Sequence, residues 1–486
     1  MMRAMSRRAP GLLAMLWLAT GCAHHGPAPE PPPAADRPWT SSAAVAGPPS
    51  PVPTPEPLVQ AAHIYTLPEL IDIAMRTNPD TRLSWERARA AAARLERAES
   101  DYLPILALNA QAGYSRVESR TTEGGVFTTG PSVTPRVLLA WRLLDGGRRD
   151  ADWDARAQEL LAADFEFNRR HQAIAYSVER AYFRFDAARA EIVAMQMTLD
   201  AARQAREASD ALARQGLATR TDAAVARQQE AQARYELEVA RKLQADARAD
   251  LARALGLSPA TPLDLAEMPE SPNLPAELDA SVDDLITAAL QGRPDLSSLA
   301  SIVRGRAADV RRAEADYQPT LSADGAVGGT IGEFQAEAGI HHFDYAEPIW
   351  GAFFVFNWDM FDGGRRQAAV REAQARLDES EADLAILRLE AEGDVWRSWA
   401  DYQAARTQVE FAGVLLDASQ EAYDAVLAGY RAGLSSVTEL VQVERDLARA
   451  RSTRIDSRAR MLDAAASLTF AVGAPTPAAS TTPPPR

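Results

Sequence analysis

The sequence predicts a mostly α-helical protein with a small β part. Long coiled-coil-like helices form a tube, and four extended segments contribute to a barrel shared with other copies of the chain. Three observations carry this expectation. The body of the chain is duplicated. Each half holds two segments of alternating polarity. Each half also contains one very long helical stretch with an apolar seam in steps of four and three residues.

The first element is a leader. Arg3, Arg7 and Arg8 make a basic start, and Gly11 to Thr20 is an apolar run ending in Leu18-Ala19-Thr20-Gly21-Cys22. That run is too short to cross a bilayer and has the shape of a secretory signal. Cys22 is the only cysteine among 486 residues, so it has no disulfide partner within the chain. The Leu-Ala-Thr-Gly-Cys run resembles a bacterial lipobox, which implies cleavage before Cys22 and acylation of its thiol. Ala23, where an aspartate would retain the protein at the inner membrane, implies transport onward to the outer membrane. The next forty residues, including Pro27-Ala28-Pro29-Glu30-Pro31-Pro32-Pro33, cannot bury a core and read as a semi-stiff tether.

The duplication is visible in register. Leu70-Ile71 and Pro79-Asp80 return 215 residues later as Leu285-Ile286 and Pro294-Asp295, and Asp101-Tyr102-Leu103-Pro104 returns as Asp316-Tyr317-Gln318-Pro319. Asp145-Gly146-Gly147-Arg148-Arg149 returns 217 residues later as Asp362-Gly363-Gly364-Arg365-Arg366, and Gly216-Leu217 returns as Gly433-Leu434. The expected divisions are a leader over 1–21, a tether over 22–62 and a first repeat over 63–257. A Pro-rich connector over 258–281, a second repeat over 282–474 and a tail over 475–486 follow.

Each repeat opens with an amphipathic helix, Leu67 to about Asp101 in the first, broken at Asn78-Pro79-Asp80 by the proline. Pro104 and Pro319 then start extended chain. Val137, Leu139, Trp141 and Leu143 alternate with Arg136, Leu138, Ala140 and Arg142; Ile105 to Ala112 alternates more weakly. In the second repeat, Trp350, Ala352, Phe354, Phe356, Trp358 and Met360 share one face. Aromatics at both ends of an apolar face suit a membrane barrel strand, although a half-buried soluble strand has the same period. The polar stretches Ser115 to Pro131 and Gly332 to Glu347 are expected to be surface loops, with His341-His342 lying in solvent rather than on a metal.

After each Asp-Gly-Gly turn, helical periodicity resumes. Ile174, Val178, Ala181, Phe185, Ala188, Ile192, Met195 and Leu199 form one seam, and Ala391, Val395, Ser398, Tyr402, Ala405, Val409, Ala412 and Leu416 repeat it in phase. The stretch from Asp150 to about Arg214 would be roughly 100 Å long at about 1.5 Å per residue. Gly216 and Gly433 stop these helices, and Thr, Ser or Asp at the following positions cap returning ones.

Composition narrows the function. With 52 Lys and Arg against 67 Asp and Glu, the net charge of -15 lacks the basic footprint of a nucleic-acid binder. No stretch after the leader has the roughly 20 apolar residues of a spanning helix, so any membrane crossing requires a closed barrel. Four strands cannot close one, since the smallest have about eight. Two chains would supply eight strands and three would supply twelve. No Walker motif, nucleophile elbow, Cys-His pair or zinc-ligand spacing is present, so no enzyme and no cofactor is expected.

Together, the two-fold repeat, the Asp-Tyr-Leu-Pro turn, the Leu-Asp-Gly-Gly-Arg-Arg turn and the Gly-Leu tips resemble the TolC-type outer-membrane efflux family over about residues 63–474, and the leader resembles its lipoprotein branch. The resemblance implies a homotrimer with a twelve-stranded transmembrane barrel, continued by an α-helical barrel through the periplasm. It implies a passive outer-membrane duct for small molecules (drugs, toxic compounds or metal ions), fed by a periplasmic adaptor (membrane fusion) protein and an inner-membrane pump of RND or ABC type. The adaptor would dock on Gly216, Leu217, Thr219, Thr221 and Asp222, and on Gly433, Leu434, Ser436 and Thr438. Glu439 would be a periplasmic gate, with Gln442 where the family places a second acid. The competing readings are a type I protein-secretion conduit and a periplasmic coiled-coil scaffold without a pore.

Overall fold

The computed structural model describes residues 63–121, 124–216, 218–269, 276–336 and 341–474. The first repeat contains β1 (Ile64–Tyr65), α1 (Leu67–Thr77), α2 (Pro79–Ser100), β2 (Ile105–Thr121), β3 (Gly124–Leu144), α3 (Arg148–Arg214) and α4 (Arg220–Ala254). After β4 (Asp264–Leu265) the second contains α5 (Val282–Gly292), α6 (Pro294–Ala315), β5 (Thr320–Ala336), β6 (His341–Asn357), α7 (Arg365–Arg431) and α8 (Val437–Val472).

Local chemistry sets the helix ends. Thr66 and Glu69 form a capping box at the start of α1, and Asn78 accepts a hydrogen bond from Asp80 N before Pro79 opens α2. Helices α3 and α7 each run for 67 residues, starting two residues earlier than the periodicity indicated because Arg148 already takes helical geometry after the left-handed Gly147. Their seams are buried as expected: Ile174, Val178, Leu199, Val395 and Tyr402 are all inside. Ala202, Ala226, Ala233 and Ala240 are almost wholly buried, so small side chains let neighbouring helix backbones approach closely. Among the described residues no helix is long and apolar enough to cross a membrane.

Each repeat's hairpin returns to the proline break of its own first helix. Thr77 Oγ1 and Asn78 Nδ2 donate to the Leu255 and Ala254 carbonyls at the end of α4. In the second repeat Arg293 replaces Asn78. Its guanidinium holds Asp295 through two nitrogens, at 2.7 and 3.1 Å, and also reaches Ala471 O.

The strands form one antiparallel sheet in the order β2-β3-β5-β6. Register decides which side chains share a face. Leu106 stands opposite Leu139, and Leu108 opposite Val137. Leu139 stands opposite Gly325, and Trp141 opposite Ala323. Phe354 stands opposite Ala323, and Trp350 opposite Val327. These residues line one apolar face from edge to edge, with Trp350 82% and Phe354 77% exposed. The other face carries Asn109, Gln111, Arg136, Arg142, Ser322 and Asp324, with Ile105, Leu138, Ile349, Phe353 and Val355 as apolar members.

Three expectations need correction. Most of the stretches expected as surface loops is strand: β2 continues to Thr121, β3 begins at Gly124, β5 reaches Ala336 and β6 begins at His341. An antiparallel ladder is satisfied by the backbone whatever the side chains, so polar residues do not end it. His341 and His342 accordingly sit in the ladder, paired with Ala336 and Gln335. Trp358 and Met360 lie beyond the end of β6; the Trp358 indole donates to Tyr317 O, as Trp141 does to Tyr102 O. Within the connector, Asp264–Leu265 pairs in parallel with Ile64–Tyr65.

Candidate functional site

The two hairpin tips are built alike. At the end of α3 the backbone turns through Gly216, with φ +77°, and at the end of α7 through Gly433, with φ +73°. A side chain there would strain the left-handed turn, which is why glycine stops both helices. Gly433 N donates to Tyr430 O and Leu434 N to Gly429 O, satisfying carbonyls that the helix end leaves open. Leu217 lies outside the described residues, as does Cys22. Its counterpart Leu434 is 86% exposed.

The returning helices begin with matched capping boxes. Asp222 N donates to Thr219 Oγ1 while the Asp222 carboxylate accepts from Thr219 N at 2.9 Å. Glu439 N donates to Ser436 Oγ while the Glu439 carboxylate accepts from Ser436 N at 2.9 Å. Glu439 is thus the repeat counterpart of Asp222, exposed and held by its own helix end, where it also complements the helix dipole. Thr221 and Thr438 occupy the first turns, exposed. Gln442 donates to Asp446. Each tip therefore presents an exposed polar rim around a turn whose shape is set by one glycine and one capping pair.

A buried acid above the tip escaped the sequence reading. Glu444 on α8 is only 2% exposed, and among the described residues neither of its carboxylate oxygens has a hydrogen-bond partner. It packs beside Leu440, Leu447 and Tyr423. Desolvation pushes its carboxyl up to about 7, against a smaller opposing effect of Arg445. The signal was available: Leu440, Glu444, Leu447 and Arg451 continue a seam in steps of four and three, so an acid occupies a core position.

At the opposite end of the long helices, the two turn motifs assemble a clasp between sheet and helix. Arg149 Nε lies 2.8 Å from Asp145 Oδ2, while its other nitrogens donate to Arg142 O and Leu143 O at the end of β3. The guanidinium also stacks over Tyr102. Arg366 repeats the arrangement with Asp362, Asp316 O and Tyr317. Asp145 is 5% exposed. Sequence periodicity found both motifs without showing that they close on each other.

Comparison with known proteins follows the same duplication. The sequence pattern of the family described as outer membrane efflux protein matches twice, over residues 70–257 and 285–474. Protein CyaE of Bordetella pertussis is 28% identical over 422 residues, spanning 87% of this chain and 86% of that protein. Outer membrane protein OprJ of Pseudomonas aeruginosa is 25% identical over 392 residues, spanning 78% of each. In three dimensions the chain is similar to the Campylobacter jejuni CmeC outer membrane channel, with a TM-score of 0.73 at 16% identity, covering 84% of this chain and 85% of that one. With both halves matched and the four-strand sheet continuous with paired long helices, the chain belongs to the outer membrane efflux protein family.

Proposed function

We propose that this chain is the outer-membrane duct of a tripartite export system, working as a homotrimer whose twelve strands close one barrel. The observation that carries this reading is the sheet: a continuous apolar face, an opposite face that carries Asn109, Gln111, Arg136, Arg142 and Asp324, and, among the described residues, two edges on β2 and β6 that pair with no further strand. In lipid each unpaired backbone group costs several kcal/mol, so only strands from sister copies make the sheet viable. That opposite face then lines an aqueous lumen, and the long helices continue it through the periplasm. The duct has no energy source and performs no catalysis; it passes small molecules delivered by an inner-membrane pump of RND or ABC type.

On the same reading the tips around Gly216 and Gly433 receive the periplasmic adaptor, through Leu217, Thr219, Thr221 and Asp222 on one hairpin and Leu434, Ser436 and Thr438 on the other. Glu439, beside the capped tip, supplies charge at the narrowed end and acts as a gate. Acylated Cys22 anchors the tether in the outer membrane, several acyl chains on one residue making a firm attachment. Reconstitution of the detergent-extracted protein into planar bilayers tests the duct. Stepwise ionic conductance is expected. A protein that stays in solution without detergent and leaves the bilayer sealed would refute the reading.

A further inference from the structure

The face of the sheet that carries Arg136, Arg142 and Asp324 also holds an apolar patch around one unpaired carboxylate. Register brings Ile105, Ala140, Asp324 and Phe353 into a single row across the four strands. The adjoining row is Ala107, Leu138, Ala326 and Gly351. Within these two rows only Asp324 has a polar side chain. The Phe353 ring leans along β6 over Gly351. A Cβ on Gly351 would lie 2.8 Å from Cε2 of that ring and 3.1 Å from Cζ, so the absent side chain is what makes room for it. The ring is nonetheless open, with Phe353 65% exposed.

Asp324 is half-buried. Among the described residues its carboxylate makes no ion pair and accepts only from Ser322 Oγ, at 3.4 Å. The two arginines of this face are engaged elsewhere. Arg142 stands opposite Ser322, but its side chain lines the cleft at the strand ends together with Asp145, Asp316 and Asp359. Arg136 lies across Gly328, where a Cβ would come within 3.0 Å of the arginine Cγ. Gly328 is four residues from Asp324 along β5, roughly 13 Å at about 3.3 Å each.

The patch therefore suits a positive charge attached to an apolar body. Asp324 and Phe353 stand directly opposite each other, and such cross-strand partners have Cβ atoms about 4.5–5.5 Å apart. A cation at the carboxylate then lies within the roughly 6 Å over which an aromatic face attracts it. A bare metal ion is a poor fit, because one carboxylate and one hydroxyl fall short of the about six oxygens that hard cations take.

We infer that Asp324, Phe353 and the apolar side chains beside them form a transit subsite for small organic cations, amines or quaternary ammonium compounds with an aromatic or aliphatic body. The inference rests on reading the chain as a duct whose lumen this face lines, and it names a class of solute for that duct. One carboxylate and one ring hold such a solute weakly. That suits conduction, which needs sites that release as readily as they capture.

Single-channel recording in planar bilayers tests the subsite, with benzyltrimethylammonium as the probe. It should reduce the conductance reversibly. Tetramethylammonium, which lacks the ring, and benzenesulfonate, which reverses the charge, should do so only at much higher concentration. Asp324→Asn and Phe353→Leu should each raise the half-blocking concentration roughly two- to fivefold, while Phe353→Trp, a stronger π face, should hold or lower it. Conduction of plain salt by each variant verifies that its barrel has formed. Unchanged block in both Asp324→Asn and Phe353→Leu, or equal block by benzenesulfonate, would overturn the subsite and leave the duct standing. A parent protein that conducts no ions would overturn the duct reading and the subsite with it.

Discussion

Arg149 and Asp145 face each other at 2.8 Å across the turn from sheet to helix, and both are largely buried. The arginine simultaneously holds the last carbonyls of β3, so one side chain fixes the direction in which α3 leaves the sheet.

Arg149→Ala should therefore destabilise the protein by about 3–5 kcal/mol, because it strands the Asp145 charge away from solvent. Arg149→Lys should fall between the parent and Arg149→Ala, since an ammonium keeps the charge but cannot reproduce the planar fork that reaches Asp145 and the Asp101, Arg142 and Leu143 carbonyls together. Thermal unfolding of the detergent-extracted protein measures both. Equal melting temperatures for Arg149→Ala and the parent would show the clasp to be dispensable.

Two left-handed glycines separate conformational strain from crowding. A Cβ on Gly256 would lie 2.7 Å from Thr77 O and Asn78 Cα, whereas one on Gly433 meets nothing within 4 Å. Gly433→Ala should cost about 1 kcal/mol for its φ alone. Gly256→Ala should cost more, because the obstacle is backbone that cannot rotate aside. Denaturant unfolding of the two variants side by side gives the comparison.

Glu444 makes the tip region pH-dependent. Its carboxyl is raised in the folded protein, so the neutral form suits the fold: the contribution is complete below the usual carboxylate range and is lost as pH rises through about 7. The full swing is at most about 3 kcal/mol at about 1.4 kcal/mol per pH unit. Arg445 opposes it, and Tyr423 stands nearby. Protection of the α8 amides, taken relative to their intrinsic exchange rate at each pH, should fall between pH 5 and pH 8 in the parent and much less in Glu444→Gln, which stays neutral. Parallel pH profiles for the two proteins would remove Glu444 as the cause.

Gate and barrel are read by separate substitutions. Glu439→Ala should raise single-channel conductance, and unchanged conductance would rule the residue out as a gate.

On the sheet, Phe354→Arg places a charge on the face that meets lipid and should cost about 2–4 kcal/mol near the bilayer midplane. Ser322→Arg, on the opposite face, should be tolerated and alter ion selectivity instead. Unfolding in lipid vesicles distinguishes them, and similar losses at both positions would contradict the assignment of faces.

The sequence by itself determined the duplication, the long helices and the capped tips. These depend on interactions within a few residues: a 4-3 seam, a proline that breaks a helix, a glycine at positive φ, a Ser or Thr three residues before an acid. It also showed the apolar strand face wherever aromatics made period 2 visible. Only the tertiary structure decided how far the strands extend, because a ladder is made by backbone groups that side-chain polarity does not report. It likewise decided which residues share a face across β2, β3, β5 and β6, that Arg149 and Tyr102 meet, and that Glu444 is buried near Tyr423. Each of these joins segments tens to hundreds of residues apart, and the pairing energy resides in the approach of two surfaces, which no local pattern encodes.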